Sequence, residues 1–194
     1  MLDAELEMPL SKSMSVRAAA MAAAGAAYDG MLAECADVEA MRRVAETRAG
    51  VADAGESAAA LRFGMAMLAA TPGTDVVIAG SSGLMARPVD ALVDALRSLG
   101  ADVERTEGGV RVRGRRLAGG KVAVDASVSS QFVSALLMAA PLMDDGLELA
   151  IDWNQPSLPY IDMTLAMMRA RGVDASRAGV DINVRAGAYK PAQV

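Results

Sequence analysis

A run of helix, glycine, strand, turn and strand occurs twice in this chain, and that repeat restricts the available folds more than any single motif does. Ala95-Leu-Arg-Ser-Leu-Gly-Ala-Asp-Val103, followed by Val110-Arg-Val-Arg-Gly114, is echoed by Ala166-Met-Met-Arg-Ala-Arg-Gly-Val-Asp174, followed by Val180-Asp-Ile-Asn-Val-Arg185. A period of roughly 70 residues is too long for a solenoid and points to duplicated α/β units. Ala40-Met-Arg-Arg-Val-Ala-Glu46 and then Val51-Ala-Asp53 read as a shortened third copy. Start and stop signals predict helices over 13–27, 56–70, 87–99, 129–141 and 159–171, and a weaker one over 37–47. Valine-rich or alternating runs predict strands over 75–79, 101–104, 109–113, 121–124, 147–152 and 180–184. The fold class is α/β of the α+β type, with each sheet laid against alanine-rich buried helices.

Composition limits the chemistry. At 194 residues and 53% hydrophobic content the chain can bury a substantial core, and with only 3% aromatic residues that core must come from closely approaching helices and valine-rich strands. A net charge of −5 removes the broad attraction that nucleic acid or an anionic membrane surface needs, so an anionic ligand has to be held locally. Cys35 is the only cysteine and there is no histidine, which excludes internal disulfides, thiolate zinc sites and imidazole acid–base catalysis. The acidic start, Met1 to Glu7, lacks the basic and apolar pattern of a signal peptide, and the longest apolar run, 132–143, is too short for a bilayer. A soluble, cytoplasmic protein is expected.

Four predicted helix starts carry anion-binding side chains. Ser129-Ser130-Gln131 sits on an otherwise apolar helix, although capping alone needs one serine. Lys12, Ser13 and Arg17 crowd another start, where cations oppose the positive end of the helix dipole unless an anion is bound. A Gly/Ser loop leads to Arg87-Pro88, and Ser157 and Tyr160 mark a fourth start. Taken singly, the Ser11 to Arg17 segment reads equally as a serine cap with solvated charges, Arg87 reads as a surface ion-pair partner, and Tyr160 as a packed residue with its hydroxyl satisfied. Together, on parallel repeats, they aim at one place.

These segments resemble the 5-enolpyruvylshikimate-3-phosphate (EPSP) synthase family. The resemblance runs through Ser11-Lys-Ser-Met-Ser-Val-Arg17, Arg87-Pro88 with Asp90-Ala-Leu-Val-Asp-Ala-Leu-Arg-Ser-Leu-Gly-Ala101, Ser127 to Pro141, and Pro159-Tyr-Ile-Asp-Met-Thr-Leu165. It implies a domain of repeated βαβαββ units with buried parallel helices, the first repeat shortened between Asp37 and Asp53. Residues 1–194 would form a single N-terminal domain of that type, without the family's second domain.

The implied activity is that of a 3-phosphoshikimate 1-carboxyvinyltransferase, which moves enolpyruvyl from phosphoenolpyruvate to shikimate 3-phosphate with neither a metal nor an organic cofactor. The implied pathway is the shikimate route to chorismate and the aromatic amino acids, and a second domain supplied in trans is an implied partner. Carried over residue by residue, Lys12 is the catalytic group and contacts both substrates. Shikimate 3-phosphate falls to Lys12, Ser13, Arg17, Ser129, Ser130, Gln131, Ser157 and Tyr160, and phosphoenolpyruvate to Lys12, Arg87 and Arg62.

The chain departs from the family where phosphoenolpyruvate is bound. The family loop reads Gly-Asn-Ala-Gly-Thr-x-Met-Arg, and here Gly55-Glu-Ser-Ala-Ala-Ala-Leu-Arg62 stands in its place. Glu56 puts a carboxylate near a phosphate, Ala58 adds a methyl group where close approach is wanted, and Ala59 removes a hydroxyl. Leu158 replaces a usual lysine, and Gly83 a frequent arginine. Weakened phosphoenolpyruvate binding is expected, and a phosphate- or anion-binding module that kept the fold without turnover is the alternative reading.

Overall fold

In the computed structural model, which describes residues 10–25, 31–125, 129–151 and 157–191, two units of identical topology follow a helix pair. The pair is α1 (Lys12–Ala22) and α2 (Ala36–Glu46). One unit runs β1 (Ala49–Asp53), α3 (Ala58–Ala69), β2 (Asp75–Ala79), a single turn α4 (Ser82–Met85), α5 (Asp90–Ser98), β3 (Asp102–Thr106) and β4 (Gly109–Arg113). The next runs β5 (Gly120–Ala123), α6 (Ser130–Ala139), β6 (Leu147–Ala150), α7 (Leu158–Arg169), β7 (Ala175–Ala178) and β8 (Asp181–Val184). Strand orders are β1-β2-β4-β3 and β5-β6-β8-β7. In both sheets the first pair is parallel and the other two are antiparallel. Each unit is therefore βαβαββ, as the resemblance implied.

The first unit is reduced to its helices among the described residues. Only Thr47 and Arg48 separate α2 from β1, so no hairpin follows α2. Val51-Ala-Asp53, expected in a shortened third copy, is instead the first strand of the next unit, with Val51 opposite Val77 of β2. β1 and β7 escape prediction because Ala49-Gly-Val-Ala-Asp53 and Ala175-Ser-Arg-Ala178 carry few residues of strand preference and exist by pairing with β2 and β8. The predicted helix over 87–99 is α5 preceded by the separate turn α4. The last residues of the predicted helix over 13–27, residue 152 of a predicted strand, and the acidic start lie outside the described residues.

Residues in every turn of α3 are buried, from Ala58 to Ala69 with only Ala59 partly wet, so it is a core helix rather than an amphipathic one. It packs against α6, α2 and α1. Small side chains set the spacing: a Cβ built on Gly64 would lie 2.3 Å from Val44 Cγ1 of α2, closer than any real contact. The serines Ser11, Ser57 and Ser129 cap α1, α3 and α6, accepting from Met14 N, Ala60 N and Gln131 N. No helix among the described residues is long and apolar enough to cross a membrane.

Gly64→Ala should cost about 1–3 kcal/mol by overpacking, and Val44→Ala in the same chain should return part of that loss. Urea unfolding of the two single variants and the double variant checks both signs.

Candidate functional site

The helix starts converge on one cavity of about 290 Å³. Lys12, Ser13 and Arg17 enter it from α1, Asp37 from α2, Glu56, Ala58, Ala59 and Phe63 from the start of α3, Gln131 from α6, and Arg87 from the loop ahead of α5. A larger concavity of about 680 Å³ lies on the outer face of the second sheet. No helix start points into it, its Lys121 is paired with Glu148 at 3.1 Å, and Asp181 leaves the lining net acidic, which disfavours an anion. The smaller cavity is the candidate site because unsatisfied N–H groups and several cations meet there.

Its side chains divide into fixed and free. Arg17 is only 4% exposed: its Nε donates to Thr164 Oγ1 at 2.7 Å, Nη1 to the Ser13 carbonyl at 2.9 Å, and Nη2 to Ser134 Oγ at 3.2 Å. Its guanidinium also lies 5.2 Å from the Phe63 ring centre and 5.8 Å from that of Tyr160. Burial pulls its pKa down to about 10, with Tyr160 opposing, so it stays charged at neutral pH. Thr164 completes the network by donating to the Tyr160 carbonyl at 2.8 Å and lying 3.0 Å from Ser134 Oγ. Arg17 thereby ties α1 to α6 and α7.

Lys12 is the opposite case. Its side chain is 63% exposed and its ammonium lies 3.2 Å from Asp37 Oδ2, an exposed pair that a ligand can part. Burial pushes the Asp37 carboxyl up, but the Ser57 hydroxyl and the Lys12 ammonium, helped by Arg87, outweigh that and hold it below the usual carboxylate value. The Arg87 guanidinium has no hydrogen-bond or ion-pair partner among the described residues and is exposed at the cavity wall.

Of the predicted residues, Lys12, Ser13, Arg17, Arg87 and Gln131 line the cavity together. Ser129 caps α6 beside Gln131, Ser130 is buried in the first turn, and the Tyr160 ring covers Arg17, but none of these three is in the cavity lining. Ser157 is the N-cap of α7, makes no side-chain cap bond, and is not in the lining. Arg62, expected to meet phosphoenolpyruvate, is also not in the lining: it is 7% exposed and reaches Ser129, Gln131 and the Pro88 carbonyl. Asp37, Ser134 and Thr164 had no part in the predicted site. A hydroxyl within an apolar run, such as Ser134 or Thr164, was the available signal, since a buried hydroxyl needs a partner. Among the described residues no group of three His, Cys, Asp or Glu side chains could hold a metal ion.

The sequence matches the family profile of EPSP synthase (3-phosphoshikimate 1-carboxyvinyltransferase) over residues 29–193. The chain belongs to the EPSP synthase family. It is 38% identical over 181 residues to the 3-phosphoshikimate 1-carboxyvinyltransferase of Bacteroides fragilis, covering 90% of this chain but 44% of that enzyme. With the Haemophilus ducreyi enzyme it shares 34% identity over 206 residues, 89% of this chain and 47% of the relative. EPSP synthase from Acinetobacter baumannii superposes with a TM-score of 0.79 over 97% of this chain and 48% of that one; at 24% sequence identity this shows the shared fold. The chain thus spans about half the length of the EPSP synthases it matches, and its cavity is built from that half alone.

Thr164→Val should leave Arg17 Nε unpaired and destabilise the fold by about 1–3 kcal/mol in urea unfolding. Asp37, whose folded value is depressed, adds stability that is complete above about pH 4 and lost as pH falls through the lower folded value. In thermal unfolding, Asp37→Asn should lie below the parent protein at neutral pH and converge with it only as pH falls below the lowered folded value.

Proposed function

We propose that this chain is the shikimate 3-phosphate half of a 3-phosphoshikimate 1-carboxyvinyltransferase, with residues 1–194 as one N-terminal domain acting in the cytoplasm. The observation that carries this reading is the cavity itself, where helix N-termini from three repeats meet Lys12, Arg17, Arg87 and Gln131 around space for a small anion. Preorganised N–H dipoles and cations suit a phosphorylated hydroxy acid, because the charge to be held is present before and during reaction.

In this reading Ser129, Ser130 and Ser157 take the 3-phosphate, Ser13, Arg17, Gln131 and Tyr160 bound the ring, and Arg87 faces phosphoenolpyruvate. The 5-hydroxyl of shikimate 3-phosphate adds to C2 of phosphoenolpyruvate as a proton reaches its methylene carbon. The tetrahedral adduct then loses a proton from the new methyl group and expels phosphate from C2, which restores the C=C double bond and leaves the enolpyruvyl group as an enol ether on the 5-oxygen. Lys12, parted from Asp37 by the incoming anions, assists proton transfer. A second domain, in the same polypeptide or in trans, would close the cleft and exclude water.

A second reading, anion binding without turnover, is favoured by Glu56 in the cavity wall together with the uncommitted Arg87. A carboxylate there competes for the cation that phosphoenolpyruvate needs.

Calorimetric titration tests the proposal. Shikimate 3-phosphate should bind, and Lys12→Ala should weaken it by about tenfold, equivalent to ~1.4 kcal/mol. Phosphoenolpyruvate should bind more weakly than to a full-length relative, and Glu56→Gln should strengthen it. No heat with millimolar shikimate 3-phosphate would remove the binding site from the proposal. Formation of EPSP on adding a separately produced second domain supports transfer, and its absence with both parts folded and binding leaves the anion-binding module.

A further inference from the structure

Arg62 does not meet the cavity, yet two residues assigned to the ligand depend on it. Its Nη1 donates to Gln131 Oε1 at 2.8 Å and to Ser129 Oγ at 3.2 Å, while Nη2 donates to the Pro88 carbonyl at 3.1 Å. The guanidinium sits 4.9 Å from the Phe132 ring centre, and its Nε is buried without a partner. A buried charged group left one bond short is held by its surroundings rather than by its own best geometry.

Hydroxyl and primary amide groups are ambivalent, because each can donate or accept. Arg62 removes that freedom. Ser129 Oγ accepts from Arg62 and from Gln131 N, which occupies both lone pairs and leaves only its O–H to offer. Gln131 has its carbonyl oxygen turned to Arg62, so its two N–H groups remain for the cavity that it lines. We propose that Arg62 is a positioning residue that fixes Gln131 in the cavity wall, and Ser129 at the α6 cap beside it, as donors, making this side of the cleft selective for acceptor-only oxyanions such as a phosphate ester. The inference rests on the reading of the cavity as a shikimate 3-phosphate site. Through the Pro88 carbonyl the same guanidinium also anchors the residue after Arg87, so one buried group sets donors on α6 and the segment carrying the free cation.

The experiment compares shikimate 3-phosphate with shikimate, which lacks the phosphate, on the parent chain and on Arg62→Met, which keeps an aliphatic stem over Phe132. The expected result is a phosphate preference, the ratio of the two affinities, that falls about tenfold or more in Arg62→Met. General loosening of the fold would weaken both ligands alike and leave the ratio intact, which would overturn the proposal. Gln131→Glu is the companion variant, useful if Arg62→Met fails to fold. Its carboxylate still accepts from Arg62 but brings no N–H, so it should unfold no more easily than the parent and bind shikimate 3-phosphate about tenfold or more weakly. Parent-like affinity in that variant would also overturn the proposal. The Gln131 side-chain amide signal in nitrogen-edited NMR of the ligand-free protein separates the two readings. A shift on Arg62→Met upholds the positioning role even if the parent binds no shikimate 3-phosphate, whereas an unchanged signal overturns it even if the parent binds.

Discussion

α3 has no face given over to water, and the rest of the molecule is arranged by that constraint. A helix buried on every side needs neighbours all round, and α3 has α1 and α2, α6, and the first sheet with α5. Such neighbours can approach only if the contact residues are small, which is why Ala60, Ala66 and Gly64 do the work that large aromatic residues do in other cores. The apolar surround also leaves polar groups few places to go. They gather at the start of α3, where backbone N–H groups are unsatisfied, and so the packing constraint and the position of the cavity have one cause.

Two arginines cross the boundary between that dry interior and the cleft. Arg17 and Arg62 are each nearly buried, each lies over a phenylalanine, and each directs two or more hydrogen bonds to groups from other elements. Desolvating a guanidinium costs several kcal/mol, and the hydrogen bonds, ring contacts and nearby helix carbonyls offset that only when the helices keep their register. Lys12 and Arg87 remain exposed and adjustable. The cleft therefore combines a buried floor of hydrogen-bonded donors with exposed cations at its rim. A ligand can draw in the second kind without disturbing the first.

The repeat, the helices and the convergence of polar helix starts were legible because they are local: caps, glycine stops and hydrophobic period are properties of neighbouring residues. β1 and β7 were not, since their strand character comes from partners elsewhere in the chain rather than from Ala49-Gly-Val-Ala-Asp53 or Ala175-Ser-Arg-Ala178 themselves. The same limit applies to the site. Lys12, Ser13, Arg17, Arg87 and Gln131 could be named from motifs, but the role of Arg62 depends on Ser129, 67 positions away, and on Gln131, 69 away. Thr164 and Ser134 read as incidental hydroxyls until Arg17 is seen to need them. A motif names a residue, and only the packing says whether its charge is turned toward a ligand or toward the protein.

The passage from α2 to β1 through Thr47 and Arg48 has one further meaning. Two repeats bury their helices beneath sheets, while the first keeps its helices without one among the described residues. The flank of α1 and α2 carries Arg42, Glu46 and Arg48 around a groove edged by Ala22 and Leu32. Charges on such a flank keep it hydrated and discourage self-association. Among the described residues the helix pair has no sheet of its own, and its anion-facing ends are aimed by helical neighbours, α1 packing on α3 and α7 and α2 on α3.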